Sequence, residues 1–239
     1  MFPNQMMSMD KSVAIIGGNG FVGSELTKSF IKKNFDTQII TRDNYRDSLN
    51  KKYKYVVNSA MPSGRFWAKN NPDLDFKETV EKTFRIKDDF NQSKIIQISS
   101  ISAKVQLDTI YGRHKLAAED ILDSEKDLII RLGPLYSDSL KKGAIIDIIE
   151  NKTVYVSGSS KYAFTPLEWV CDEIVNTIHL CGIHEIGAKN FITLEDLADS
   201  IGSKSEFVGG QDNQVFYDAK DDCPDASEVI KFVNQKKTN

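Results

Sequence analysis

Apolar and polar positions change period several times along this chain, and each change marks an element. From Val13 to Ile16 the residues are almost wholly apolar and largely β-branched, the pattern of a strand buried on both faces of a parallel sheet. Glycines follow at once. Val22, Leu26, Phe30 and Ile31 then fall on one face of a predicted helix over Val22–Lys33, and Asp36–Thr41 returns to strand chemistry, completing a strand–helix–strand unit. Further strands are predicted at Tyr53–Asn58, Ile95–Ile98 and Leu128–Arg131, separated by helices over Asp75–Asp89 and Thr109–Asp123. This alternation predicts an α/β fold with a doubly wound parallel sheet and right-handed crossovers. After Gly133-Pro134 it weakens into a mixed α/β region with helices near Gly143–Asn151, Pro166–Leu180 and Thr193–Ser200.

Composition narrows the partners. The chain has 239 residues, long enough for one substantial core, and its 31 basic and 34 acidic residues are well mixed. It therefore carries no electrostatic footprint for nucleic acid or an anionic membrane, and small molecules are the expected partners. Cys171, Cys181 and Cys223 lack the spacing of a metal pair or a disulfide framework, and no metal site is expected. His114, His179 and His184 have no triad or metal arrangement around them. Met1–Asp10 lacks the basic start and apolar segment of a signal peptide, and no apolar run approaches about 20 residues, so a cytoplasmic chain with a frayed N-terminal tail is expected.

The first motif with chemistry is Gly17-Gly18-Asn19-Gly20-Phe21-Val22-Gly23, in which Gly17, Gly20 and Gly23 form Gly-x-x-Gly-x-x-Gly between a strand and a helix. Glycine is needed where backbone turns tightly, where it approaches a pyrophosphate and where helix packs on strand. The N–H groups of such a turn and the helix dipole hold phosphate, so a dinucleotide is the expected cofactor. After the second strand the chain reads Thr41-Arg42-Asp43. The guanidinium of Arg42 suits a ribose 2′-phosphate and favours NADP, while Asp43 leaves NAD open.

The second motif is Tyr111-Gly112-Arg113-His114-Lys115, a tyrosine and a lysine on one face at the start of a predicted helix. An ammonium beside a phenol favours the phenolate, which is expected to lower the Tyr111 pKa and make it a general acid or base on a carbonyl or hydroxyl. The preceding strand ends in Ser99-Ser100-Ile101-Ser102, at the carboxyl edge where parallel sheets bind ligands. Ser100 is the first candidate to orient the reacting oxygen, and Ser102 the second.

The glycine turn, the serine-rich strand end and Tyr-x-x-x-Lys, in that order, resemble the short-chain dehydrogenase/reductase superfamily. Tyr111-Gly112-Arg113-His114-Lys115-Leu116-Ala117-Ala118-Glu119 is similar to its extended branch, the NAD-dependent epimerase/dehydratase family. The resemblance covers about Val13–Pro134. It implies a Rossmann fold with a small mixed α/β C-terminal substrate lobe, a core over residues 10–134 with 163–182 returning to pack on the sheet, and a lobe made of 135–162 and 183–239. It further implies that Tyr111 is the catalytic acid/base, that Lys115 binds the nicotinamide ribose and tunes Tyr111, and that Ser100 or Ser102 orients the substrate. Asn58-Ser59-Ala60 matches a segment along the cofactor, and Gly133-Pro134 a turn past the nicotinamide. A homodimer through the helices flanking the tyrosine is implied as well.

Departures from the family pattern bear on substrate. The stretch between Arg42 and Tyr53 is too short for the family's third strand and following helix, and basic residues to clamp a diphosphate after Pro134 are few: Lys141, Lys142, Lys152 and Lys161. The resulting expectation is an NAD(P)-dependent oxidoreductase acting on a nucleotide-activated sugar by 4-keto reduction or epimerisation. Two alternatives stand beside it: a cofactor-binding regulator without chemistry, and a reductase of small non-sugar carbonyl compounds.

Overall fold

A computed structural model describes residues 9–216 and 221–238. The expected N-terminal tail therefore lies, up to residue 8, outside the described residues, as do positions 217–220 of the expected lobe. The chain forms two compact units, one running through Arg131 and taking in Cys171–His184, the other made of Leu132–Val170 and the residues from Glu185 on.

The first unit is built on the sheet that the apolar pattern predicts. Strands β1 (Ser12–Ile16), β2 (Asp36–Ile40), β3 (Tyr55–Asn58), β4 (Lys94–Ser100) and β5 (Leu128–Leu132) stand in the order β2-β1-β3-β4-β5, with Gly182–Ile186 as the sixth strand beyond β5. β1 pairs parallel with both β2 and β3, and β3 parallel with β4. Every residue of β1 is buried, because alternate side chains are covered on both faces. Ala14 and Ile16 join a core with Ile40, Val56, Ile86 and Ile95, while Val13 and Ile15 point to the opposite face, the side of the buried Leu26 and Phe30 of helix α1 (Phe21–Lys32). β2 is the edge of the sheet. Thr41–Lys54 leads from it to β3 through a single helical turn, Tyr45–Ser48, so the shortening read from the sequence is a missing outer strand.

The helix predicted over Asp75–Asp89 begins earlier and is not uniform: Pro72–Phe76 and Lys82–Asp89 are α-helical, and Lys77–Glu81 between them is π-helical. Helices Arg65–Asn70 and Val229–Thr238 and the strand Gly182–Ile186 escape the sequence pattern altogether. One buried ion pair ties the far end of this sheet. Asp127 is fully buried, accepts the backbone N–H of Ile95 at 2.9 Å and of Asp123 at 3.0 Å, and pairs with Lys87. Asp127→Ala would strand all three donors, and we expect it to lower stability by about 3 kcal/mol in urea denaturation; a loss under about 1 kcal/mol would contradict the buried-anchor role.

In the second unit, Leu135–Tyr136 pairs parallel with Thr165–Pro166 and Lys161–Tyr162 pairs antiparallel with Ile192–Thr193. Helices Ala144–Ile149, Leu194–Ser200 and Val229–Thr238 enclose a core that includes Tyr136, Ile148, Tyr162, Phe164, Leu197 and Val233. Because Tyr162 and Phe164 belong to that core, the chain re-enters the first unit at Cys171, where the expected return began at 163. Lys141, Lys142 and Lys152 are exposed, and Lys152 pairs with Glu150. Among the described residues no helix is long and apolar enough to cross a membrane, and no group of three or more His, Cys, Asp or Glu could hold a metal.

Candidate functional site

The glycine turn sits where β1 gives way to α1. Gly17 has φ +83°, a conformation that side chains rarely adopt, and a Cβ there would come within 2.9 Å of the Ala60 backbone at the end of β3. At Gly23 a Cβ would lie 2.2 Å from the Gly17 carbonyl and 2.6 Å from Ser59 Oγ, so helix and loop meet only because no side chain intervenes. The Ser59 hydroxyl donates to the Ile16 carbonyl at 2.9 Å and pins the β3 end to β1. Gly20 caps α1 without a side-chain hydrogen bond, no acidic residue occupies the first turn, and Asn19 and Gly20 are exposed while Phe21 and Val22 are partly so. An α-helix with an uncapped N-terminus and no carboxylate in its first turn presents partial positive charge and free N–H groups, which suits an anion such as a pyrophosphate.

After β2, Asn44 fixes the turn that carries Arg42. Its Oδ1 accepts the Thr41 N–H at 2.7 Å and its Nδ2 donates to the Ile39 carbonyl at 3.0 Å, which leaves the exposed Arg42 on a turn closed by side-chain-to-backbone hydrogen bonds. Lys82 donates to the Ala60 carbonyl at 3.1 Å and pairs with Glu78, whose carboxyl is held below its usual range by Lys82 first and also by Arg42.

Asn58 differs from the other expected contacts. Its side chain is fully buried, donating to Gln97 Oε1 at 2.9 Å and accepting from the Ala60 N–H at 3.3 Å, while Gln97 donates to Thr83 Oγ1 at 3.0 Å. Asn58 thus shapes the Ser59-Ala60 backbone from below, and its amide is spent on the interior. Gly133 and Pro134 lie in the second unit, where a Cβ on Gly133 would meet the Phe216 ring at 2.8 Å and Pro134 accepts the Thr165 N–H at 3.0 Å.

Tyr111 and Lys115 are positioned by a cap. The Thr109 hydroxyl accepts the Gly112 N–H at 2.9 Å and starts the helix Ile110–Glu119, which sets the two side chains one turn apart on its buried face. At the other end, Glu119 is buried and clamped by Arg131, with bonds of 3.1 Å from Nε and 2.6 Å from Nη2, and receives the Ser99 hydroxyl. The serines therefore separate by strand alternation. Ser99 turns to Glu119, Ser100 turns to the Tyr111 hydroxyl, and Ser102 is buried with its hydroxyl on Gln106 Oε1 at 2.7 Å. Arg65 also donates to Gln106, at 3.3 Å. Of the two candidate serines, Ser100 faces the tyrosine.

The electrostatics correct one expectation. Burial pushes the Tyr111 phenol up to about 12; its hydrogen bond with Ser100 and the charge of Arg65 oppose this, and Asp75 adds to it. Lys115 stands over the tyrosine ring, 5.2 Å from its centroid, and burial lowers its pKa to about 7 against the raising charges of Asp75 and Glu119. Tyr111 is thus a neutral phenol over the physiological range, because removing it from water outweighs nearby cations.

Several residues beside the site carry only a faint signal in the linear pattern. Asp75, Thr79 and Thr83 are all buried and four residues apart, a polar column on the face of the interrupted helix. His114 Nδ1 lies 2.7 Å from Asp75 Oδ2. A polar residue every fourth position on an otherwise amphipathic helix was the available clue.

No family model matches the chain, and no curated protein matches it in sequence. Its fold has many solved counterparts. A dTDP-4-dehydrorhamnose reductase from Bacillus anthracis in complex with NADP aligns over 94% of this chain and 98% of its own, with a TM-score of 0.75 at 15% identity. The NAD-dependent NDP-hexosamine 5,6-dehydratase TunA, of tunicamycin biosynthesis, aligns over 95% and 98% with a TM-score of 0.76 at 13% identity. A UDP-glucose 4-epimerase from Thermus thermophilus complexed with NAD aligns over 86% and 90% with a TM-score of 0.71, also at 13% identity. These neighbours are extended short-chain dehydrogenases/reductases, and the likeness establishes that this chain has their Rossmann fold.

Proposed function

We propose that this protein is an NAD(P)-dependent oxidoreductase that acts on a nucleotide-activated sugar, with NADP as the preferred cofactor and reduction of a 4-keto group as the leading reaction. The observation that carries the reading is a buried Tyr111 hydrogen-bonded to Ser100 on the same sheet edge that carries an uncapped glycine turn. The turn Gly17–Gly23 and the first N–H groups of α1 would hold the pyrophosphate, Arg42 the 2′-phosphate, the Ser59-Ala60 backbone the adjoining ribose, and Lys115 the nicotinamide ribose. A reduced nicotinamide, when held there, would supply the hydride that the carbonyl carbon accepts. Ser100 orients the carbonyl oxygen, and Tyr111 donates its phenolic proton to that oxygen, so that the ketone leaves as a secondary alcohol. The same groups run in reverse would begin an epimerisation.

Named activities of the structural neighbours support the substrate class, since a dTDP-sugar reductase, an NDP-hexosamine dehydratase and a UDP-sugar epimerase share the fold. We also read the protein as a homodimer. Phe66, Leu74, Phe76 and Phe84 are exposed on the helices flanking the tyrosine helix, an apolar surface that a second copy would cover.

The cofactor assignment is tested with Arg42→Ala. Loss of a charge-assisted contact to a 2′-phosphate is expected to weaken NADPH binding about tenfold or more and to leave NADH unchanged in a nicotinamide fluorescence titration. Equal effects on both cofactors would exclude Arg42 as the discriminating residue. Turnover is tested by NADPH oxidation with a panel of dTDP- and UDP-linked 4-keto sugars and small ketones. Oxidation by small ketones alone would sink the nucleotide-sugar assignment.

A further inference from the structure

Between Arg42 and the Tyr111–Lys115 pair, the sheet edge carries a third cation that the proposed reaction leaves without a role. Lys82, at the start of Lys82–Asp89, donates from Nζ to the Ala60 carbonyl at 3.1 Å and pairs with Glu78 one turn earlier. Ala60 is itself tied down: its N–H donates to Asn58 Oδ1 at 3.3 Å, and the N–H of Ser59 before it donates to the Ile16 carbonyl at 3.0 Å. Its backbone lies so near Gly17 that a Cβ on the glycine would come within 2.9 Å. The Lys82 ammonium therefore stands at the end of β3, separated from the glycine turn by the Ala60 backbone. An ammonium has three donors, and the Ala60 carbonyl and Glu78 take two, which leaves a third without a partner among the described residues.

We propose that Lys82 is a further cofactor-binding residue, which takes the pyrophosphate of the dinucleotide together with the glycine turn, and that Glu78 is the counter-ion the pyrophosphate displaces. This inference deepens the proposed oxidoreductase reading and rests on it for the identity of the ligand. Sheet order places the three cations. Arg42 follows β2, Lys82 is anchored at the end of β3, and Lys115 stands over Tyr111, which faces Ser100 at the end of β4; along the edge the strands run β2-β1-β3-β4. With Arg42 at the adenosine ribose and Lys115 at the nicotinamide ribose, Lys82 falls where the pyrophosphate between the two riboses passes. Charge supports the same assignment. A pyrophosphate bridge carries two negative charges, and a helix N-terminus supplies only about half a positive one, so the uncapped start of α1 leaves most of the anion uncompensated. Lys82 adds a full charge beside it. Glu78 can be displaced, because an i,i+4 pair whose side chains are 24% and 33% exposed is a weak interaction. Glu78 lies on the π-helical stretch Lys77–Glu81, which ends directly before Lys82, and such distortions recur at functional sites.

The test measures equilibrium binding by nicotinamide fluorescence, without turnover. Lys82→Met is expected to weaken NADPH and NADH alike, by about tenfold or more, because both carry the pyrophosphate; Arg42→Ala, by contrast, acts on NADPH alone. Glu78→Gln removes the competing carboxylate and is expected to tighten both dinucleotides about threefold at low salt, a gain that shrinks as salt screens the site. The two variants break the same ion pair, so a merely structural role would move binding in one direction in both. Should Lys82→Met fail to fold, Glu78→Gln still decides by the sign of its effect. With a wild type that binds a dinucleotide, this inference alone is overturned by unchanged binding in either variant, by a Lys82→Met effect confined to NADPH, or by weaker binding in Glu78→Gln. A wild type that binds neither dinucleotide refutes the functional reading, and calorimetry with inorganic pyrophosphate then decides the anion site by itself. Uptake that Lys82→Met abolishes would uphold it, and uptake that is absent or independent of Lys82 would overturn it.

Discussion

Tyr111→Phe is expected to lower kcat by about a thousandfold or more while leaving NADPH affinity within about a factor of two. The substitution separates chemistry from packing. Phenylalanine keeps the buried ring under Lys115 but removes the phenolic proton that faces Ser100, and a positioned general acid contributes about a hundred- to ten-thousandfold to a rate. The glycine turn, α1 and Arg42 are untouched, so binding should survive. Loss of the single hydrogen bond to Ser100 costs about 1 kcal/mol of stability, too little to unfold the chain. Steady-state kinetics alongside a fluorescence titration distinguishes the outcomes. Retained turnover would move the proton donor to another group, and lost cofactor binding would mean that the ring itself shapes the cofactor site.

Lys115→Met should trade activity for stability, with a pH dependence whose sign the structure fixes. Burial lowers the Lys115 pKa in the folded state to about 7, Asp75 and Glu119 notwithstanding, from 10.5 in the open chain. Between those values the unfolded chain binds more protons than the folded one, so wild-type stability climbs as pH rises from about 7 to 10.5 and levels off at its lowest below about 7, where both states are protonated. Methionine fills similar space without a proton to lose. The variant is therefore expected to be more stable than wild type by a few kcal/mol at about pH 6, with the gap closing towards about pH 10, while turnover drops about a hundredfold. Urea denaturation at the two pH values reads this directly. A gap that is constant with pH would show that Lys115 is not the group whose charge the fold resists.

Much of this architecture was legible as pattern. The apolar run Val13–Ile16 is a strand covered on both faces, and its burial is complete, because a parallel sheet between two helical layers leaves no polar side. Strand ends were visible to within a residue or two, which was enough to put Gly17, Ser100 and Ser59 at one edge of the sheet. What pattern could not carry was depth. Asp75, Thr79 and Thr83 look in one dimension like the solvated face of a helix, and in the fold they are buried against the tyrosine helix and β4. The same blindness explains the Tyr111 error: a lysine four residues away is visible in sequence, but the desolvation that overrides it is a property of the packed site. Asn58 reads as a cofactor contact, and in the fold its amide is hydrogen-bonded to Gln97, distant in sequence. Helix Val229–Thr238 escaped because it lies beyond the region where strand and helix alternate.

The most direct test is a fluorescence titration of the protein with NADPH and NADH, each repeated in the presence of dTDP and UDP. NADPH binding in the micromolar range, lost in Gly23→Val and strengthened by one of the two nucleotides, is the predicted result. Failure of both cofactors to bind would contradict it, leaving the uncapped turn at Gly17–Gly23 a structural feature only.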